Sequence, residues 1–119
     1  MDKLKQNTTE NAGNGHSLHP MLANGFIDRE ILHKAIDAWG ANAQIELIEE
    51  ECLELALALQ KLKRKRGSEI DKYNAIIDEI ADVKIMIEQA QIIFSQDEIN
   101  KRVDYKMNRL RERLIEDLS

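Results

Sequence analysis

The sequence is organised around the stretch Ile48-Glu49-Glu50-Glu51-Cys52-Leu53-Glu54-Leu55, which concentrates carboxylates where a helix would otherwise bury apolar surface. A second acidic stretch, Asp78-Glu79-Ile80-Ala81-Asp82, follows about one helix later and repeats acids at the same three-residue step. Residues three apart lie on the same face of a helix. The two stretches therefore predict two helices that face each other through their acids, and such a cluster indicates a site for divalent metal.

Composition predicts an all-α fold in a single domain. The chain has 119 residues, of which 33% are charged and 4% aromatic, and it contains one proline. This length is typical of one domain, and a composition rich in Leu, Ile, Ala, Glu and Lys favours helices. We therefore expect a four-helix-bundle-like protomer with one core.

Charge and cysteine content exclude several classes of partner. The formal net charge of −5 repels nucleic acid phosphates, so long nucleic acid is not an expected partner, and a phosphate-bearing ligand needs metal ions or a local basic patch. Cys52 is the only cysteine, so no intramolecular disulfide can form. Because the sequence contains no signal peptide and no apolar run of about 18 residues, we expect a cytoplasmic protein with no membrane partner.

The N-terminal residues 1–25 form a separate polar segment. They are polar and glycine-containing and have too few large apolar side chains for burial to offset the entropy lost on ordering them. We interpret this segment as a flexible tail and residues 26–119 as the folded domain. His16 and His19 have a metal-ligand spacing, but a tail without further ligands favours solvated histidines.

Capping residues and apolar periodicity predict four helices. Asp28, Ser68 and Ser95 are suited to N-cap the first, third and fourth helix, while Gly40 and Gly67 end the first and second. The predicted helices span residues 28–39, 41–66, 68–94 and 95–118.

Apolar positions identify the helix faces that pack. In the second helix they follow alternating steps of three and four, which predicts a buried core face at Ile45, Ile48, Cys52, Leu55, Leu59 and Leu62. The third helix is apolar on more than one side, as Ile80 and Ile85 illustrate. A helix of this kind is buried between partners, so we expect the chain to assemble as a homo-oligomer.

Four acids form the candidate metal site. At about 100° of rotation per residue, Glu51 lies at the edge of the apolar stripe and Glu54 about 60° further round, while Glu79 and Asp82 lie beside apolar residues of the third helix. Carboxylates enclosed between two helices repel one another and lose solvation, and divalent cations relieve both penalties. Oxygen-only ligands favour Mg²⁺, with Mn²⁺ as an alternative, and Mg²⁺ commonly completes its shell with water and substrate phosphates.

Other interpretations of the acids differ in how well the sequence supports them. A di-iron carboxylate bundle normally requires Glu-x-x-His on two helices, and neither acidic helix contains histidine. Glycine-rich phosphate loops and nucleophilic triads lack supporting residues. From spacing alone, the acids can also be a solvated stripe on a helical adaptor.

Basic and aromatic residues offer contacts for a phosphate-bearing ligand. Lys61 lies seven residues beyond Glu54, about two turns along nearly the same side of the helix. Lys106 and Arg109 belong to a basic line on the fourth helix, which is either a solvated face or a phosphate-binding one. Trp39, the only tryptophan, is either a packing anchor or a platform that stacks on a nucleobase.

The two acidic stretches together resemble the motifs of the MazG-like, all-α nucleoside triphosphate pyrophosphohydrolases. Glu50-Glu51-Cys52-Leu53-Glu54 resembles the family's Glu-Glu-x-x-Glu, and Glu79-Ile80-Ala81-Asp82 resembles its Glu-x-x-Asp. The likeness extends over residues 39–113 and is similar in particular to small stand-alone versions found in phages and their bacterial hosts. It also includes Trp39-Gly40, Gln44, Lys61, Lys106 and Arg109.

This resemblance implies an enzyme of nucleotide-pool cleaning. The family hydrolyses a nucleoside triphosphate to the monophosphate and pyrophosphate with Mg²⁺, and it works as a homodimer or homotetramer. The metal ligands implied are Glu51, Glu54, Glu79 and Asp82. The catalytic pair implied is Glu50 with Glu51, where Glu50 orients the attacking water or acts as its base.

The resemblance also assigns substrate contacts. It implies that Lys61, Lys106 and Arg109 contact phosphate oxygens. Gln44 and Trp39 become candidates for contacting the sugar or base. The alternative function is a non-catalytic helical oligomeric adaptor or regulator that retains the fold.

Overall fold

The computed structural model of the chain describes residues 24–119, which form four helices and no strand. The helices are α1 (Arg29–Trp39), α2 (Ala41–Leu62), α3 (Glu69–Ile93) and α4 (Gln96–Leu118). The predicted all-α class is confirmed, and only α2 differs appreciably from its predicted bounds, because it ends at Leu62 rather than near residue 66. The predicted tail at 1–25, with His16 and His19, lies outside the described residues apart from its last two positions.

Side-chain caps begin three of the helices at the predicted places. Asp28, Ser68 and Ser95 each accept a hydrogen bond from a backbone N–H in the first turn of α1, α3 and α4, at 3.0, 3.4 and 3.3 Å. Gly40 joins α1 to α2 with a φ of 89°, a conformation that favours glycine. The backbone N–H of Gly40 donates to the carbonyl of Ile36 at 2.8 Å, which closes the end of α1.

The folded unit is built on an antiparallel pair, α2 and α3, joined by the short turn 63–68. Helix α1 packs across both members of the pair. The core lies where these three helices meet, and Leu32 and Met86 are its most buried apolar side chains. Around them pack Ile27, Leu47, Ile48, Ile85 and Ile92.

The buried face of α2 differs from the predicted one. Its buried residues are Gln44, Glu51 and Ala58, which are seven residues apart and face α3. Much of the predicted apolar stripe lies outside the helix pair: Cys52 is exposed, and Leu59 is 45% exposed. The prediction of a core face through Cys52 and Leu59 is therefore wrong for the single chain, because α3 packs against the line that contains Glu51.

Helix α4 is almost entirely exposed. It has no buried residue and packs only against α3, while its first residue, Gln96, accepts a hydrogen bond from the Arg29 guanidinium of α1. Its apolar line includes Met107, Leu110 and Leu114, which are 42%, 47% and 51% exposed. The radius of gyration is 17.5 Å, compared with about 13 Å for a compact chain of this length. Bundle-like packing is therefore partial.

Helix α3 is apolar on several sides, as predicted. Met86 is fully buried in the core, whereas Ile77, Ile80 and Ile87 are 46%, 45% and 44% exposed. No residue of the described part of the chain covers these exposed positions. Homo-oligomer formation stays a prediction. None of the four helices combines the length and the apolar character needed to cross a membrane.

Candidate metal centre

Helices α2 and α3 bring three acids together. Glu51 projects from α2, and Glu79 and Asp82 project from successive turns of α3. One carboxylate oxygen from each of the three lies within 4.8 Å of the other two. Glu51 and Asp82 are buried, with 2% and 4% exposure, and Glu79 is half-buried. The antiparallel pair therefore encloses a three-carboxylate group of the size that could hold a metal ion.

The environment of this group opposes negative charge on Glu51. Burial, followed by the charges of Glu54 and Asp82, raises the pKa of the Glu51 carboxyl from its usual 4.5 to about 8. A hydrogen bond with Glu54 and the charge of Glu79 also contribute to this rise in the Glu51 pKa. Without a cation, the group therefore retains a proton at neutral pH, since like charges in a desolvated site cannot all ionise.

Glu54, the fourth predicted ligand, lies next to the group. It is half-buried, one turn beyond Glu51 on α2, and its side chain is hydrogen-bonded to Glu51. The set of mutually close ligand atoms contains Glu51, Glu79 and Asp82 but not Glu54. Glu54 instead lines the cleft that begins beside the group.

This donor set suits a hard divalent cation. Carboxylate oxygens are preferred by Mg²⁺ and Mn²⁺, whereas zinc sites normally include histidine or cysteine. The only cysteine, Cys52, is exposed, and none of the group is histidine. A cation bound here would neutralise the acids and remove the cause of the raised Glu51 pKa.

An open cleft of about 360 Å³ continues from the acids toward the turn 63–68. Lys61, predicted to contact phosphate, lies in this cleft. The full lining is Glu54, Leu57, Ala58, Lys61, Asp71, Lys72, Ala75 and Glu79.

In the opposite direction, two glutamines occupy the helix interface. Gln44 precedes Glu51 by seven residues and Gln89 follows Asp82 by seven, so two turns along antiparallel helices place them in one layer. Gln44 is 1% exposed and Gln89 is fully buried. Within the described residues, the Gln44 Oε1 and both polar atoms of the Gln89 side chain have no hydrogen-bond partner. A polar layer thus lies beyond the acidic one.

The other predicted site residues lie apart from the three-carboxylate group in a single chain. Glu50 is exposed on α2 beside Glu51. Trp39 is half-buried at the end of α1, next to the turn that leads into the Gln44 end of α2. Lys106 and Arg109 are exposed on α4. Their assigned roles remain predictions.

Gln89 and Lys72 carry no local signal that distinguishes them in the sequence. Gln89 lies between Glu88 and Gln91, where a further polar residue is not distinctive, and only its step of seven from Asp82 relates it to the acids. Lys72 follows the acidic start of α3 and resembles an ordinary surface lysine, although its side chain is only 9% exposed. Both residues can be recognised only from the register between α2 and α3. That register depends on which faces of the two helices pack together.

No protein-family model, no curated protein and no solved structure shows significant similarity to this chain.

Proposed function

We propose that this chain is a Mg²⁺-dependent nucleoside triphosphate pyrophosphohydrolase that cleaves a (d)NTP to the (d)NMP and pyrophosphate. The observation that carries the proposal is the enclosed group of Glu51, Glu79 and Asp82, whose ligand atoms lie within 4.8 Å of one another. Burying acids in a helix interface destabilises a fold unless a cation compensates them. A chain that keeps them there is better explained by metal binding than by packing.

The choice of reaction rests on the motif resemblance together with the site chemistry. Three of the five acids that resemble the MazG-like motifs, Glu51, Glu79 and Asp82, are grouped between α2 and α3 in an all-α chain. Mg²⁺ in proteins commonly takes its remaining ligands from substrate phosphates. A phosphoanhydride is therefore the substrate bond that fits this donor set.

Each acid has a distinct proposed task. Glu51, Glu79 and Asp82 would hold the cation, and Glu54 would join them from the edge of the cleft. Bound divalent metal would supply charge neutralisation of the phosphates and a lowered pKa for water. Glu50, exposed beside Glu51, would orient the attacking water or accept its proton.

The substrate contacts extend in both directions from the acids. Lys61 lies in the cleft, where its ammonium group can meet phosphate oxygens. Gln44 would contact the sugar or base on the other side, with Trp39 as a stacking surface. Lys106 and Arg109 are exposed on α4, so we assign them to phosphate contacts in an assembled oligomer, reached from a second copy.

A homodimer or homotetramer is part of the proposal. Exposed apolar residues line α2, α3 and α4, among them Leu57, Ile80 and Leu110 at 54%, 45% and 47% exposure. Large contiguous apolar surface is unusual on a monomer and typical of an interface. A second copy of the same chain offers a complementary apolar surface with closed symmetry.

The direct test is a panel of canonical and modified nucleoside triphosphates with Mg²⁺ or Mn²⁺, assayed for pyrophosphate release. We expect at least one triphosphate to give the monophosphate and pyrophosphate, and EDTA to abolish the reaction. Release of inorganic phosphate instead would mean cleavage at a different bond. No product from any member of the panel would favour the non-catalytic adaptor, which also predicts no metal-dependent rise in melting temperature.

A further inference from the structure

The cleft beside the acids is lined in the same way by both helices. On α2, Glu54 is followed by Ala58 after four residues and by Lys61 after seven. On α3 the same order runs backwards, because Ala75 precedes Glu79 by four residues and Lys72 precedes it by seven. Since α2 and α3 are antiparallel, each helix presents an acid, an alanine and a lysine in the same direction along the cleft.

This arrangement produces a cleft with two chemically different ends. Seven residues of helix rise about 10 Å, so a carboxylate pair and an ammonium pair lie about two turns apart. Ala58 and Ala75 lie between them, and their small side chains leave the space of about 360 Å³ open. One end therefore carries two carboxylates and suits a cation. The other end carries two ammonium groups and one carboxylate, that of Asp71 beside Lys72, so it keeps one positive charge in excess and suits an anion.

Lys72 is held in position at the ammonium end. Its Nζ donates to the backbone carbonyl of Arg64 and to Glu69 Oε1, the latter at 3.1 Å. Its side chain is only 9% exposed. An ammonium group has three N–H donors, so these two bonds anchor Lys72 while one donor remains for a ligand.

The net charge of the lining determines which ligand fits. Three carboxylates, from Glu54, Glu79 and Asp71, outnumber the ammonium groups of Lys61 and Lys72. A bare diphosphate would be repelled by the acids. A diphosphate complexed to divalent metal places its cation at the acidic end and its oxygens at the lysines, where charge-assisted hydrogen bonds form.

We propose that this cleft binds the diphosphate end of the substrate, and then the pyrophosphate product, as a divalent-metal complex, with Lys72 as a phosphate-binding residue alongside Lys61. This inference rests on the proposed pyrophosphohydrolase function. It adds the location of the pyrophosphate leaving group, and it adds Lys72, which the resemblance does not include.

The test measures binding of magnesium pyrophosphate by calorimetry, independently of catalysis. Lys72→Gln should weaken binding at least tenfold, whereas Lys72→Arg should stay within a few-fold of wild type. Ala75→Leu should also weaken binding at least tenfold by filling the cleft. All three variants should keep the Mg²⁺-induced rise in melting temperature, because the three-carboxylate group is unchanged.

Two matched controls separate the site from general effects. Lys65→Gln removes a positive charge from the neighbouring turn without lining the cleft, and Ala56→Leu enlarges an exposed alanine on another face of α2. Both should bind magnesium pyrophosphate as the wild type does. Wild-type protein should not bind pyrophosphate in EDTA.

The outcomes distinguish this inference from the proposed function. Wild-type affinity in Lys72→Gln and Ala75→Leu, equal loss in Lys65→Gln, or no binding by wild type would each overturn the inference. If triphosphates are hydrolysed but the KM and product inhibition by pyrophosphate are unchanged in Lys72→Gln, the inference fails and the function stands. If wild type binds pyrophosphate through Lys72 yet hydrolyses no triphosphate, the function fails and the site stands.

Discussion

Helices α2, α3 and α4 have similar lengths of 22, 25 and 23 residues, yet the α2–α3 pair and α4 differ in burial. The pair buries polar residues, including Glu51 and Asp82, at its contact. Helix α4 presents a regular apolar line that includes Leu110 and Leu114, and it buries no residue. An apolar face therefore indicates that a helix packs against a partner, but it does not indicate where that partner lies. A buried acid is costly to the fold unless a proton or a cation compensates its charge.

The largest expected effect is on the acidic interface of the pair. Under the proposed function, Asp82→Asn should lower pyrophosphate release at least about 100-fold, because it weakens the metal site that would stabilise charge in the transition state. Far-UV circular dichroism should show unchanged helix content. Glu49→Gln is the matched control, since Glu49 is an exposed glutamate on α2, and it should retain activity. Full activity in Asp82→Asn would show that the Asp82 carboxylate is not needed for catalysis.

The next largest effect is expected on the stability of the oligomer, through the exposed apolar line of α4. The double variant Leu110→Asp, Leu114→Asp should raise the dissociation constant of the oligomer at least about tenfold, because each leucine buried at an interface contributes roughly 1.5–3 kcal/mol. Light scattering coupled to size exclusion should show a shift toward the 13.7 kDa monomer. Asn108→Asp adds a carboxylate on the other side of α4 and should leave the mass unchanged. A wild-type protein that is already monomeric would contradict the proposed assembly.

A smaller effect is the pH dependence of the metal-free protein. The pKa of Glu51 is about 8 in the folded chain, against an ordinary value of 4.5. Between these values the folded state binds more protons than the unfolded state, so the free energy of unfolding should fall as pH rises. Urea denaturation in EDTA at both ends of this range should show the fall, and Glu51→Gln should reduce it.

Metal should reverse this trend. Because the cation requires deprotonated carboxylates, the Mg²⁺-induced rise in melting temperature should be larger at the alkaline end of the range. Glu49→Gln should behave as wild type in both measurements. A Mg²⁺ effect that is the same at all pH values, or that survives in Glu51→Gln, would mean that the ion binds elsewhere.

The smallest expected effect concerns the glutamine layer. Gln89→Met replaces a buried amide by an apolar side chain of similar length, and it should stabilise the fold by about 1 kcal/mol, because a buried polar group without a partner is costly. Chemical denaturation measures the change. Gln60→Met, on the exposed part of α2, should stay within about 0.5 kcal/mol of wild type. Destabilisation by Gln89→Met would show that the amide makes a favourable contact, through water for example.

Local sequence signals predicted the elements well. Asp28, Ser68 and Ser95 each cap the helix expected of them, and Gly40 adopts the positive φ that separates α1 from α2. These features can be predicted from the sequence because a cap or a glycine turn depends on only a few neighbouring residues. The apolar stripe of α2 was less informative, because Cys52 and Leu59 follow the right period but face away from α3.

The sequence by itself determined the four helices and the two acidic steps that make a metal site conceivable. Only the tertiary structure decided that Glu51, Glu79 and Asp82 form one group, because that grouping depends on the register between α2 and α3. The same register placed Gln44 with Gln89 and aligned Lys61 with Lys72 at the end of the cleft. Periodicity describes one helix at a time, whereas a site between helices requires knowing which face of each one packs.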